Sequence, residues 1–165
     1  MAIKRILVPV DFSKASLQAL DYAREFATPF GADLLIVHVV EPIYYATPID
    51  MYAASPNVAM LVDEQRRMAT AHLERLSADL TKTGLAHRTM LKSGAPAQVI
   101  VDTAKSAKAD LVIMATHGRT GLAHVLLGSV AERVVRTAAC PVLTVRTAAG
   151  RRPARRAPSR AAKKR

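Results

Sequence analysis

The chain has 165 residues, half of them apolar, enough for one α/β domain with a full core. It has no Trp and few aromatics, so that core is aliphatic, and its single cysteine, Cys140, excludes an internal disulfide. The formal charge is +11 but unevenly spread: the first 146 residues hold 16 Lys and Arg against 13 acids, whereas residues 147–165 hold eight Lys and Arg and no acid.

No apolar run approaches the roughly 18–20 residues of a membrane span. The start, Met1-Ala2-Ile3-Lys4-Arg5, leads into a strand without the apolar segment and cleavage site of a signal peptide. A protein without a membrane anchor, in the reducing cytoplasm, is the expectation.

In chain order, Ile6-Leu7-Val8 reads as a first strand. Ser16, Leu20, Ala23, Ala27 and Phe30 recur at helical spacing, and Gly31 is a stop signal. Leu34 to Val37 is a second apolar run. Pro42 to Asn57, rich in Pro, Tyr, Ala and Met, reads as a loop or lid, with Tyr44, Tyr45, Met51 and Tyr52 either contacting a ligand or simply packing. Ala69, Leu73, Leu76 and Leu80 mark a second helix that stops near Gly84. Ala86 to Lys92 mixes His87, Arg88, Thr89 and Lys92 with Met90 and Leu91, as an edge strand does. Pro96 opens a third helix whose inner face carries Val99, Ile100, Thr103 and Ala107. Leu111 to Met114 is a buried strand, Val130, Val134, Val135 and Ala138 are the inner stripe of a fourth helix, and Val142 to Val145 is the last strand.

Strands buried on both faces lose the polar alternation of half-exposed ones. Alternating strand and helix then imply an open, doubly wound five-stranded parallel sheet with helices on both faces and right-handed crossovers. In the order 3-2-1-4-5 the first and fourth strands flank the switch point. The domain is expected to span residues 1–146. Residues 147–165 contain only Ala, Gly, Pro, Ser, Thr, Lys and Arg, which cannot bury a core and imply a disordered tail.

Ligands of such sheets bind beyond the carboxyl ends of the strands. Three segments fall there: Pro9-Val10-Asp11-Phe12-Ser13, His38-Val39-Val40, and Ala115-Thr116-His117-Gly118 with Gly128-Ser129 after a nine-residue gap. A buried strand, a glycine loop and a helix start in that order form a phosphate cradle, because glycine admits close backbone approach and free N–H groups at a helix start bind anions. Each residue also has a plainer reading. Asp11 and Ser13 suit the cap of the first helix, Ser129 suits the cap of the fourth, and Gly118 and Gly121 suit turns. His38, ending a buried strand, reads as a satisfied core histidine, and His72 and His87 as surface or flanking residues. There is neither a Walker A loop nor Gly-x-Gly-x-x-Gly, hence no lysine for the terminal phosphates. His117 is the sole nearby base, with nothing beside it in sequence to orient it. The site reads as one that holds a nucleotide rather than turning it over. No His, Cys or carboxylate pair has metal-ligand spacing, and Cys140 reads as a structural thiol.

These segments resemble the universal stress protein family from Lys4 to Arg146. The most specific pieces are His117-Gly118-Arg119-Thr120-Gly121-Leu122, Leu127-Gly128-Ser129-Val130-Ala131-Glu132 and Cys140-Pro141-Val142, with Val8-Pro9-Val10-Asp11-Phe12-Ser13 as the opening turn. The nucleotide-binding branch is marked by Gly, two residues, Gly, nine residues, Gly, then Ser or Thr; here Ala115 replaces the first glycine. The resemblance implies ATP or a related adenine nucleotide, with Mg, as ligand. Pro9 and Asp11 would lie near the ribose or a metal–phosphate group, and Val39 would offer backbone groups to the adenine. Ala115, His117, Gly118 and Arg119 would line ribose and phosphates, and Gly128, Ser129 and Val130 would cap the phosphates. It also implies a homodimer through the last strand, Pro141 to Arg146, and a regulatory output.

Two alternatives remain on the sequence alone. One is a slow ATP hydrolase. The other is an accessory protein acting through the tail, where Arg151-Arg152, Arg155-Arg156, Arg160 and Lys163-Lys164-Arg165 meet a nucleic acid or an acidic partner or are merely solvated.

Overall fold

The computed structural model describes residues 2–41, 56–117 and 127–146, with the backbone alone for 56–58. Continuous aliphatic runs become the inner strands β1 (Arg5–Pro9), β2 (Asp33–Val40) and β4 (Leu111–Ala115), and the flanking strands are β3 (His87–Ser93) and β5 (Val142–Val145). All pair in parallel, in the order β3-β2-β1-β4-β5. The sheet is therefore the expected one, and its order reverses between β1 and β4.

Helices α1 (Lys14–Ala27), α2 (Pro56–Thr81), α3 (Pro96–Ser106) and α4 (Ser129–Thr137) complete the layers. The sheet separates two aliphatic cores. Ile6, Val8, Leu34, Ile36 and Ile113 pack with Ala19, Leu20 and Ala23 of α1 and Leu73 and Leu80 of α2. Leu7, Leu35, Val37, Val112 and Met114 pack with Ile100 and Ala104 of α3 and Ala131 and Val134 of α4. Successive side chains on a strand point to opposite faces, so each inner strand feeds both cores. None of the described helices is long and apolar enough to cross a membrane.

Several details depart from the sequence expectation. Phe30 lies in a 3-10 turn, Thr28–Phe30, and is half exposed, because the chain tightens before Gly31 at φ 60° instead of continuing the helix. Helix α2 starts at Pro56, two residues inside the segment expected to be loop; the other residues of that loop, 42–55, lie outside the described part, as do 118–126 and the tail. On α3 the buried stripe is Ala97, Ile100, Thr103 and Ala104, with Val99 and Ala107 only partly covered. On α4, Val135 is 45% exposed; Ala131 and Val134 are the buried residues of this nine-residue helix, with Val130 partly buried against the same core.

Polar bonds fix the ends of these elements. Asp110, just before β4, accepts from the backbone N–H groups of Lys4 (2.8 Å) and Arg5 (2.9 Å), tying the starts of β1 and β4 together. These two donors hold its carboxyl below the ordinary value near 3.8. A carboxylate that is harder to protonate when folded stabilises the fold above its unfolded pKa, and that contribution disappears as pH falls through the folded value. Urea unfolding between pH 5 and 2 should show a loss of stability below about pH 4 that is smaller in Asp110→Asn. On the opposite edge, His87 bonds Leu85 O (2.9 Å) through Nδ1 and Ser77 Oγ (2.9 Å) through Nε2. The carbonyl can only accept, so neutral His87 carries its proton on Nδ1 and accepts from the Ser77 hydroxyl. This pair joins α2 to β3 and gives His87 a structural role.

Candidate functional site

A crevice of about 720 Å³ opens over the carboxyl ends of β1, β2 and β4, where the strand order reverses. That volume lies within the usual range for small-molecule sites, roughly 300–1,000 Å³. Pro9, Asp11, Val39, Ala115, His117, Gly128, Ser129 and Val130 all line it. Gly118 and Arg119 fall outside the described residues.

One wall is the turn after β1. Ser13 is the N-cap of α1, and its Oγ accepts from Ser16 N (3.2 Å). Asp11 Oδ1 in turn accepts from the N–H of Ser13 (3.0 Å) and from its hydroxyl. Capping and crevice roles therefore coexist: the bonds that start the helix also hold the Asp11 carboxylate at the crevice rim. Between them Phe12 is forced to φ 62°, a left-handed conformation costly for a bulky L-residue. Its ring lies between His38 (centroids 4.4 Å) and His72 (4.9 Å). His38 is buried and bonds the Val10 carbonyl through Nδ1 at 2.7 Å. It is a satisfied core histidine, as expected, but it belongs to β2 itself and also lines the crevice.

The facing wall is the start of α4. Gly128, not Ser129, is the N-cap, and a glycine has no side chain with which to cap the helix. The reading of Ser129 as the cap is therefore corrected; it is the first helical residue and is exposed. The Gly128 N–H donates to Thr116 O at 2.7 Å, and the first helical bond runs from Glu132 N to Gly128 O. The next N–H groups, of Ser129, Val130 and Ala131, precede any helical acceptor, as in the first turn of every helix. Here they stand at the crevice wall with the positive end of the helix dipole. A Cβ at Gly128 would lie 3.1 Å from the Thr116 carbonyl oxygen and 3.7 Å from His117 Cα. The glycine thus suits a close approach of the backbone to itself, where a Cβ would need a shift of a few tenths of an ångström. Thr116 is buried, its N–H donates to Val145 O (3.1 Å), and its hydroxyl bonds His117 Nδ1 (3.0 Å).

Sequence reasoning missed the third wall, from α2. Leu61, Glu64, Gln65, Met68 and His72 line the crevice there. His72 lies three residues after buried Ala69, so its position beside the inner stripe was legible from helical spacing. Nothing in the sequence marked Phe12 for a positive φ. The charged residues among the described lining are Asp11, Glu41 and Glu64; it includes no lysine or arginine. Among the described residues no group of three His, Cys, Asp or Glu is placed to hold a metal ion. Cys140 is half-buried, and burial, aided by nearby Asp110, pushes its thiol pKa up, as suits a structural thiol.

The sequence profile of the Universal stress protein family matches residues 2–146. The chain belongs to the universal stress protein family. A universal stress protein of Methanocaldococcus jannaschii is 35% identical over 143 residues, 87% of this chain and 82% of that one. The solved universal stress protein UspA of Lactobacillus plantarum superposes with a TM-score of 0.79 at 29% identity, covering 88% of this chain and 99% of its own. A universal stress protein solved in complex with cAMP is 28% identical, with a TM-score of 0.59 and coverage of 88% and 98%. The resemblance read from the glycine loop and the Asp11 turn therefore holds over nearly all of the described chain.

Proposed function

We propose that this universal stress protein is a regulatory module that holds ATP, or a related adenine nucleotide, in the crevice between the Asp11 turn and the start of α4. The observation that carries the reading is the first turn of α4, N-capped by a glycine, closed against Thr116 and placed with Asp11 on the lining of a switch-point crevice. The relative crystallised with cAMP supports the ligand class.

In this reading the N–H groups of Ser129 and Val130 and the Ser129 hydroxyl take the phosphates, Pro9 and Asp11 meet the ribose or a metal–phosphate group, and the backbone of Val39 meets the base. Ala115 and His117 line the ribose and phosphates, a role we also propose for Gly118 and Arg119, which lie outside the described residues. The residues fit Mg only as a phosphate-borne ion. Mg²⁺ keeps several waters and takes one or two carboxylates plus substrate phosphates, and Asp11, at the crevice, is the carboxylate proposed for such an ion. The described lining offers no lysine for the terminal phosphate, so the site favours retention over fast turnover.

Calorimetric titration with ATP and Mg²⁺ should give one saturable site and a raised thermal midpoint. Absence of both heat and shift at millimolar nucleotide sinks the reading. The same proposal includes a homodimer through Pro141 to Arg146. Strand β5 pairs with β4 along one edge, and Leu143 is 39% exposed; pairing with a second copy would cover such an edge. Sedimentation equilibrium should give twice the chain mass, and Thr144→Pro, which removes a backbone donor from the strand, should shift it toward the monomer.

A further inference from the structure

We propose that Phe12 is a positioning residue of the crevice. Its ring, packed against His38 of β2 and His72 of α2, holds the left-handed turn that carries the Asp11 carboxylate. The seating of α2 thereby sets that carboxylate for the nucleotide. This deepens the nucleotide reading above and rests on it.

The chain between β1 and α1 is fixed at both ends. Val10 is locked onto β2: its N–H donates to Val37 O (2.9 Å) and its carbonyl accepts from His38 Nδ1 (2.7 Å). A carbonyl can only accept, so Nδ1 carries a proton and the buried imidazole has a set orientation. Ser13 belongs to α1 as its N-cap. Asp11 lies between, its N–H donating to Ser16 Oγ (3.2 Å) and its Oδ1 accepting from Ser13. Phe12, at φ 62°, is where this span turns left-handed. A bulky side chain persists in that conformation only when its surroundings over-determine it. Two rings from two different elements do so. Phe12 stands 4.4 Å from His38 and 4.9 Å from His72, tilted by 38° and 54°, at the short end of the roughly 4.5–7 Å separations at which aromatic rings attract. His38 is bonded to the residue that precedes Asp11, and His72 is seated by buried Leu73 beside it on α2. Relaxing φ at Phe12 would rotate its peptide link to Asp11 against the start of α1 and carry the carboxylate off its Ser13 donors. Asp11, Phe12, His38 and His72 all line the crevice, so the stack and the group it positions border one cavity. Ligand affinity then falls by the fraction of chains whose turn leaves this setting.

The test is calorimetric titration of ATP with Mg²⁺ into the full chain, His72→Ala, His72→Phe, Phe12→Leu, Asp11→Ala and the double variant His72→Ala/Asp11→Ala. A cooperative thermal melt certifies the fold of each. His72→Ala should lose about tenfold in affinity, the upper worth of one aromatic pair. His72→Phe keeps a ring without the imidazole nitrogens and should bind within about twofold of the full chain. Phe12→Leu, apolar but without a ring face, should lose at least as much as His72→Ala. In the Asp11→Ala background, His72→Ala should change affinity by less than about twofold, because its effect runs through the carboxylate. Full affinity in His72→Ala, Phe12→Leu or Asp11→Ala overturns the proposal. A His72→Phe variant as weak as His72→Ala overturns it too, assigning the effect to the imidazole nitrogens. So does an equal loss from His72→Ala with and without Asp11, which makes His72 a direct or merely structural contact. If the full chain takes up no ATP at millimolar nucleotide, the nucleotide reading falls and this proposal with it; ATP uptake by the full chain together with any of the overturning outcomes removes this proposal alone.

Discussion

Gly128→Val should lower ATP affinity by about 100-fold or more while lowering the thermal midpoint only modestly. The backbone at Gly128 is extended, with φ −69° and ψ 154°, so valine meets no torsional strain. The obstacle is the Thr116 carbonyl, 3.1 Å from the new Cβ, with two further methyls to place. That oxygen accepts the Gly128 N–H, and Thr116 is also bonded to Val145 on the next strand. The neighbour with least support is the start of α4, which must therefore move away. Its N–H groups then lose aim on the phosphates, and each charged hydrogen bond lost costs about 1.5–3 kcal/mol. Gly128→Ala, needing a shift of a few tenths of an ångström, should fall between the two. Calorimetry and thermal melts on all three proteins check this. Unchanged affinity in the valine variant would show that the start of α4 does not hold the phosphates.

The largest loss of stability is expected for Ile113→Ala. Ile113 is fully buried at the centre of β4, in the core shared with α1 and α2. Truncation removes the transfer energy of three carbons and leaves a cavity, costing about 2–5 kcal/mol, or roughly 5–15 °C of melting temperature in a domain of this size. Leu143, paired with it on β5 but 39% exposed, supplies the contrast: Leu143→Ala should cost less than about 1 kcal/mol. Urea denaturation of both variants measures the difference. Equal losses would mean that β5 is covered in solution, as a dimer through that edge requires.

The sheet was readable because strands covered on both faces keep unbroken aliphatic runs. Leu34 to Val37 and Leu111 to Met114 admit little else once helices alternate with them. The reading faltered where a polar residue is buried for a reason that composition does not carry. Strand β2 runs on through His38 to Val40, with the buried imidazole bonded to the Val10 carbonyl. Val135 looked inward because it continues the apolar series Val130, Val134, yet a helix of nine residues buries a narrow stripe. The lining of the candidate site was legible where backbone chemistry dictates residue type, as at Asp11 and Gly128, whereas Ser129 read as a cap that Gly128 in fact provides. Its α2 wall was not, because Leu61, Met68 and His72 reach the crevice from a distant part of the sequence.

Thr116 has a consequence beyond its packing. Its N–H is committed to the outer strand and its carbonyl to the first residue of the cradle. One residue thus separates a sheet edge from a helix start, so their positions are not independent variables. Whatever binds at one place with a preference for one setting of Thr116 changes affinity at the other by the same factor, in either direction. A reader of the outer strand would then sense occupancy of the crevice without touching what occupies it.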